Sequence, residues 1–179
     1  SFVTKMTVSK TAEIYQKYVS AASEVNKSMS CSGVDNNTQP DGDELELEWV
    51  HGYRGFDCRN NVHYINEGAR RSIVYHAASL GIMLTIQSDG TSKQSYFRGH
   101  NDDITAISLF SAQNDYGETR AHLVATGQQG KGKTFVWEAP SMKTLAILFT
   151  GQKTISQIAF GKAHGGRIIV TISEDKSVV

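Results

Sequence analysis

From residue 62 onward the chain repeats one pattern: short runs rich in Ile, Val, Phe, Tyr and Thr, each closed by Gly, Asn, Asp or Pro. Runs of this composition and length are strands, and the closing residues are turn formers. They predict strands at Val62–Ile65, Ser72–Ala77, Gly81–Ile86, Ser95–Arg98, Ile104–Phe110, His122–Thr126, Thr134–Trp137, Leu145–Phe149, Ile155–Phe160 and Arg167–Ser173. No stretch after residue 62 has the 3.6-residue period of an amphipathic helix. An all-β chain of many short strands is a sandwich, a barrel or a propeller. The first 44 residues read differently. Ile14, Tyr18, Ala21 and Val25 share one helical face, so a short amphipathic helix is expected over 12–28. It is either a frayed linker helix or a segment that orders on a partner. Ser30 to Asp43 reads as polar linker, and residues 1–44 together form a linker region.

Repetition chooses among the β architectures. WD-type propeller repeats carry a Gly-His near the start and a Trp-Asp near the end. Gly99-His100 opens such a repeat, and Val136-Trp137-Glu138 takes the Trp-Asp place. ITAISLF, HLVATG, TFVWE and TLAILF are its four strands, and Ser111–Arg120 and Gln128–Lys133 absorb its extra length as loops. The next repeat opens at Gly151-Gln152, with ISQIAF and RIIVTISEDKSVV as its first strands and Asp175 in the turn of a WD-type hairpin. His100, Thr126 and Trp137 stand where a WD repeat places its hydrogen-bonded set, without the Asp. In the following repeat Thr171 and Asp175 are present, but Gln152 replaces the His. Residues 67–179 therefore read as about two and a half atypical WD40-like blades of an incomplete propeller. The chain begins without Met and stops inside a strand, as a segment of a longer protein would.

Between linker and blades, Leu45, Leu47 and Trp49 alternate with Glu44, Glu46 and Glu48, the period of a half-buried strand. Gly52 and Gly55 then surround Tyr53 and Arg54, with Phe56 and Asp57 following. This predicts a strand running into a tight corner whose aromatics are buried. The stretch LELEWVHGYRGFDCRNNV, from Leu45 to Val62, resembles the HELP motif of the echinoderm microtubule-associated protein-like (EML) family. The likeness continues through HYINEGARRSIVYHAASLGIMLTI into GHNDDITAISL and VATGQ. It implies a HELP-like motif over 45–66, with Trp49, Gly52, Tyr53, Arg54, Gly55, Phe56, Asp57, Cys58 and Arg59 as its motif residues. It also implies a tandem-propeller, WD40-type fold and a non-enzymatic, microtubule-associated scaffold. Such a scaffold docks on tubulin or on neighbouring cytoskeletal or axonemal proteins, in the cytoplasm or in a cilium or flagellum. The alternative is a general WD-repeat adaptor without tubulin contact, since a fold does not determine a function.

Charge and composition narrow this little. The net charge is zero, but residues 1–53 hold four Lys against eight Asp or Glu, leaving a surplus of four positive charges on residues 54–179. That surplus suits an acidic partner and falls short of the basic stripe that nucleic-acid binding needs. No apolar run is long enough for a membrane span, and Cys31 and Cys58 are too few for a metal or disulfide framework.

Signals of catalysis are weak. Gly127 to Thr134 matches G-x-x-x-x-G-K-[ST], but a phosphate loop must open a helix, and Phe135-Val136-Trp137 is β-prone. The histidines lack metal-ligand spacing, and Asp102-Asp103 reads as a solvated turn. No catalytic residue, cofactor or metal is expected.

Overall fold

The computed structural model describes residues 46–67, 70–113 and 119–179. The expected helix over 12–28 and the linker before it meets the motif lie outside the described residues. Ten strands follow in order: β1 (Val62–Glu67), β2 (Arg70–Ala77), β3 (Leu80–Ile86), β4 (Ser92–Phe97), β5 (Ile104–Gln113), β6 (Thr119–Gln128), β7 (Lys133–Ala139), β8 (Lys143–Phe149), β9 (Ile155–Phe160) and β10 (Ile169–Ser173). They form two four-stranded antiparallel meanders, β1-β2-β3-β4 and β5-β6-β7-β8, and a two-stranded sheet of β9 and β10.

The three sheets stack face to face, because each strand of the middle sheet feeds two cores. On β5, β6 and β7 the side chains of Ile107, Val124, Phe135 and Trp137 join Ile65, Val74, Met83 and Phe97 of the first sheet. Their neighbours Ala106, Ala125 and Val136 join Ile155, Ile158 and Phe160 of the third. Period-two alternation sends successive side chains to opposite faces, so a strand that is apolar at every position is buried on both. Burying one such large side chain contributes about 1.5–3 kcal/mol. Trp137 anchors the first core, lying parallel to Phe97 at 4.8 Å with 4° between the rings. This all-β stack is a partial WD40-like propeller, with each sheet a blade.

The blades share one polarity. Ile104 N–H donates to the Ala78 carbonyl at 2.8 Å, and Thr105 Oγ1 donates to the Ile155 carbonyl at 2.5 Å. The β2–β3, β4–β5, β6–β7 and β8–β9 connections therefore gather at one end. Here the Gln128–Lys133 loop approaches the next blade: a methyl on Gly132, which has φ +53°, would overlap the Gln152 carbonyl oxygen.

Two details differ from the sequence reading. The Ser111–Arg120 stretch is partly strand, since β5 runs to Gln113 and β6 starts at Thr119; Ser111 Oγ bonds the His122 ring at 2.9 Å within this extended ladder. Conversely, β10 begins at Ile169, because Lys162–His164 form a 3-10 turn that delays pairing.

Candidate functional site

The motif segment crosses a sheet face. Strand register puts Tyr75, Ile82 and Tyr96 on the face of the first blade opposite its core, with Gln94 two residues from Tyr96. Gln94 uses its carboxamide as a peptide group would: Oε1 accepts from Val50 N–H at 2.8 Å and Nε2 donates to the Val50 carbonyl at 2.9 Å. Tyr96 Oη donates to the Glu48 carbonyl at 3.0 Å, and Gln94 Nε2 also reaches Tyr75 Oη at 2.9 Å. The expected half-buried strand over Leu45–Trp49 is thus corrected over the described residues 46–49. Their backbone is bound by side chains, and Leu47 and Trp49 are each 36% exposed.

The corner that follows turns on Gly52, at φ +80°. Its focus is Arg54, whose side chain is only 11% exposed. Nε and Nη2 donate to the two carboxylate oxygens of Asp57 at 2.7 and 2.6 Å, and Nη1 donates to Asp103 Oδ2 at 2.8 Å. Arg54 N–H donates to the His76 carbonyl at 3.3 Å, and Asn61 Nδ2 donates to the Arg54 carbonyl. Charge-assisted, two-point bonds of this kind are the strong ones. The bonded guanidinium holds the Asp57 carboxyl down at about 2, and the Arg54 pKa is itself raised. Burial, reinforced by the hydrogen bond to Asp57, pushes the Cys58 thiol up to about 11.

The buried member of the corner is therefore the cation. Tyr53 is 59% exposed and Phe56 86%, which overturns the expectation of buried aromatics. Arg54 turns inward to reach carboxylates on both sides, which leaves its neighbours facing out; its guanidinium lies 5.4 Å from the Phe56 ring centre. Gly55 packs against the Tyr53 ring, Trp49 leans on His51, and Arg59 is exposed. Asp103 stays about half exposed, as a turn residue would, and also carries the bond to Arg54.

The blade-signature residues meet in the cores. His100 Nε2 lies 2.7 Å from Thr126 Oγ1, and Trp137 Nε1 donates to the same hydroxyl at 3.1 Å. His100 Nδ1 lies 2.9 Å from Gln128 Oε1, and Gln128 Nε2 donates to Asn101 Oδ1 at 3.0 Å. The donors assign the directions. Gln128 Oε1 can only accept, so Nδ1 carries the proton; a neutral ring then accepts at Nε2 from Thr126, whose oxygen accepts from Trp137. A neutral imidazole satisfies every partner. Burial of the ring holds His100 down at about 4, in agreement. Gln128 fills the place of the missing Asp, a substitution that the sequence reading passed over.

In the third blade Gln152 takes the His place: its Oε1 accepts from Thr171 Oγ1 at 2.6 Å and its Nε2 donates to the Ser177 carbonyl at 2.8 Å. Asp175 Oδ1 accepts from Ser177 N–H at 2.9 Å, closing the turn. Gly99 packs against the Phe97 and Phe135 rings.

The catalytic look-alikes take other shapes. Gly127–Thr134 spans the end of β6, a hairpin and the start of β7, so no helix stands behind the loop. Among the described residues no group of three His, Cys, Asp or Glu side chains could hold a metal ion, and no helix is long and apolar enough to cross a membrane. A groove of about 400 Å³ runs between Asp57–Asn60 of the corner and the inner strands β5 and β9, lined there by Ala106, Ile107 and Ser156–Ile158.

The corner's glycine, aromatic and arginine pattern has a counterpart among known proteins: the HELP motif family matches residues 40–82. Most of the chain is similar to echinoderm microtubule-associated protein-like proteins, and in that sense it is EML-like. Human echinoderm microtubule-associated protein-like 2 is 30% identical over 135 residues, covering 73% of this chain and 20% of that protein. The rat echinoderm microtubule-associated protein-like 2 is 28% identical over 151 residues, covering 82% of this chain and 22% of its own length. The 77 kDa echinoderm microtubule-associated protein of Lytechinus variegatus is 28% identical over 141 residues, covering 76% and 20%. The EML-like chain thus spans about a fifth of the length of these relatives.

Proposed function

We propose that this EML-like chain belongs to a non-enzymatic scaffold that binds microtubules through its propeller, in the cytoplasmic cytoskeleton or in a cilium or flagellum. The carrying observation is the alignment with proteins named as microtubule-associated, which extends over 73–82% of the chain in those relatives. Arg54 and Asp57 of the motif are committed to internal bonds, and the lattice contact is assigned to the blade loops. Lys131, Lys153 and Lys176 are exposed on loops at the shared end, where they suit a negatively charged partner such as tubulin or a neighbouring axonemal protein. The complete protein is expected to pellet with stabilised microtubules at low salt and to be released as salt rises, because screening weakens exposed charge pairs. Failure to pellet at low salt overturns the proposal. Partners retained in an extract without microtubules would favour the adaptor reading.

A further inference from the structure

Residues 46–61 are attached to the blades at two separate places. The first is the Gln94 and Tyr96 set on Val50 and Glu48. The second is the Arg54 set, which spans two blades: His76 belongs to the first, and Asp103 to the loop that enters the second. Between the two stands Gly52, with φ +80° and no heavy atom within 4 Å of where a Cβ would lie. No strand pairing joins the segment to either blade. Its tip, Asp57 to Asn60, forms one wall of the groove along β5 and β9.

We propose that the corner from Gly52 to Asn61 is an ionic latch. It moves as a loop hinged at both ends, at Gly52 and at Asn60 (φ +80° and +54°), is held shut by Arg54 between Asp57 and Asp103, and widens the groove along β5 and β9 when it opens. The charges explain why the latch is reversible. Asp57 and Asp103 are 40% and 49% exposed, so salt and solvent reach the acceptors while the cation stays shielded. The Asp57 bonds are local to the corner and travel with it, so opening breaks the Asp103 bond, the Arg54–His76 backbone bond and the contacts of the tip. A half-exposed pair of this kind is worth about 0.6–1 kcal/mol at the upper end of the range for exposed pairs, so losing it raises the open population roughly threefold to fivefold.

Cys58 reports the motion, because its thiol is half-buried beside Asp57. The test is the rate of maleimide labelling of Cys58 in the full chain carrying Cys31→Ser. The rate is expected to rise with salt, and to rise about threefold to fivefold at low salt in Asp103→Asn, whose remaining salt dependence is small. Gln94→Ala releases only the other attachment and is expected to leave Cys58 labelling unchanged. Urea unfolding followed by Trp137 fluorescence in a Trp49→Phe background separates latch opening from global unfolding. An unchanged rate in Asp103→Asn, or a rate that merely tracks global stability, overturns the latch; equal acceleration by Gln94→Ala overturns the pivot at Gly52.

Discussion

Thr126→Val tests the assignment of the His100 network. Thr126 is fully buried, and one hydroxyl serves both His100 Nε2 at 2.7 Å and Trp137 Nε1 at 3.1 Å. Valine has nearly the same shape, so the packing around Val124 and Ile107 is retained while the hydroxyl is lost. Two buried polar nitrogens then lack a partner. Each costs about 1–3 kcal/mol, so the variant is destabilised by about 2–6 kcal/mol, a large share of the stability of a small fold. With a mid-range urea slope of about 2 kcal/mol/M, the unfolding midpoint falls by about 1–3 M. Thr126→Ser keeps the hydroxyl and is expected to lose less than half as much. A midpoint within about 0.3 M of the parent for Thr126→Val would mean that the hydroxyl satisfies neither nitrogen, and the tautomer assignment would fail with it.

Two more predictions follow from burial and close approach. His76 and His100 are both held down at about 4 from an ordinary 6.5, in each case chiefly by burial and, for His76, next by the Arg54 charge. The unfolded chain therefore binds more protons between these values. The stabilisation is complete above about pH 6.5 and is lost as pH falls toward 4, on the order of 2 kcal/mol per histidine by pH 5. Urea midpoints that stay level from pH 7.5 to 5 would contradict this. Gly132→Ala combines a positive φ with overlap onto the Gln152 carbonyl and is expected to cost about 2–4 kcal/mol. Gly90→Ala, at φ +85° in open space, costs only the backbone term of about 1–2 kcal/mol; equal effects in thermal melts would refute the interblade contact.

The sequence by itself determined the all-β class and the approximate positions of the ten described strands, and it singled out His100, Thr126 and Trp137 as one candidate set. All of these are local signals. Strand composition, turn residues and the distance between signature positions are properties of neighbouring residues, and the pleat converts them into faces and hydrogen-bond partners without further information. The Gln128–Lys133 loop was legible as a hairpin for the same reason, since the residues after it are β-formers. What only the tertiary structure decided are contacts between residues far apart in the chain. Gln94 and Val50 are separated by 44 positions and Arg54 and Asp103 by 49, so no pattern along the sequence joins them. That is why the motif read as an amphipathic strand ending in buried aromatics, when it is a strap bound by side chains. An alternating pattern specifies two faces but cannot say which is covered. The fold brought Asp103 to the side of the corner that faces the blades, beside the motif's own Asp57, and burying a cation needs paired charge. Arg54 therefore went in, and Tyr53 and Phe56 stayed out.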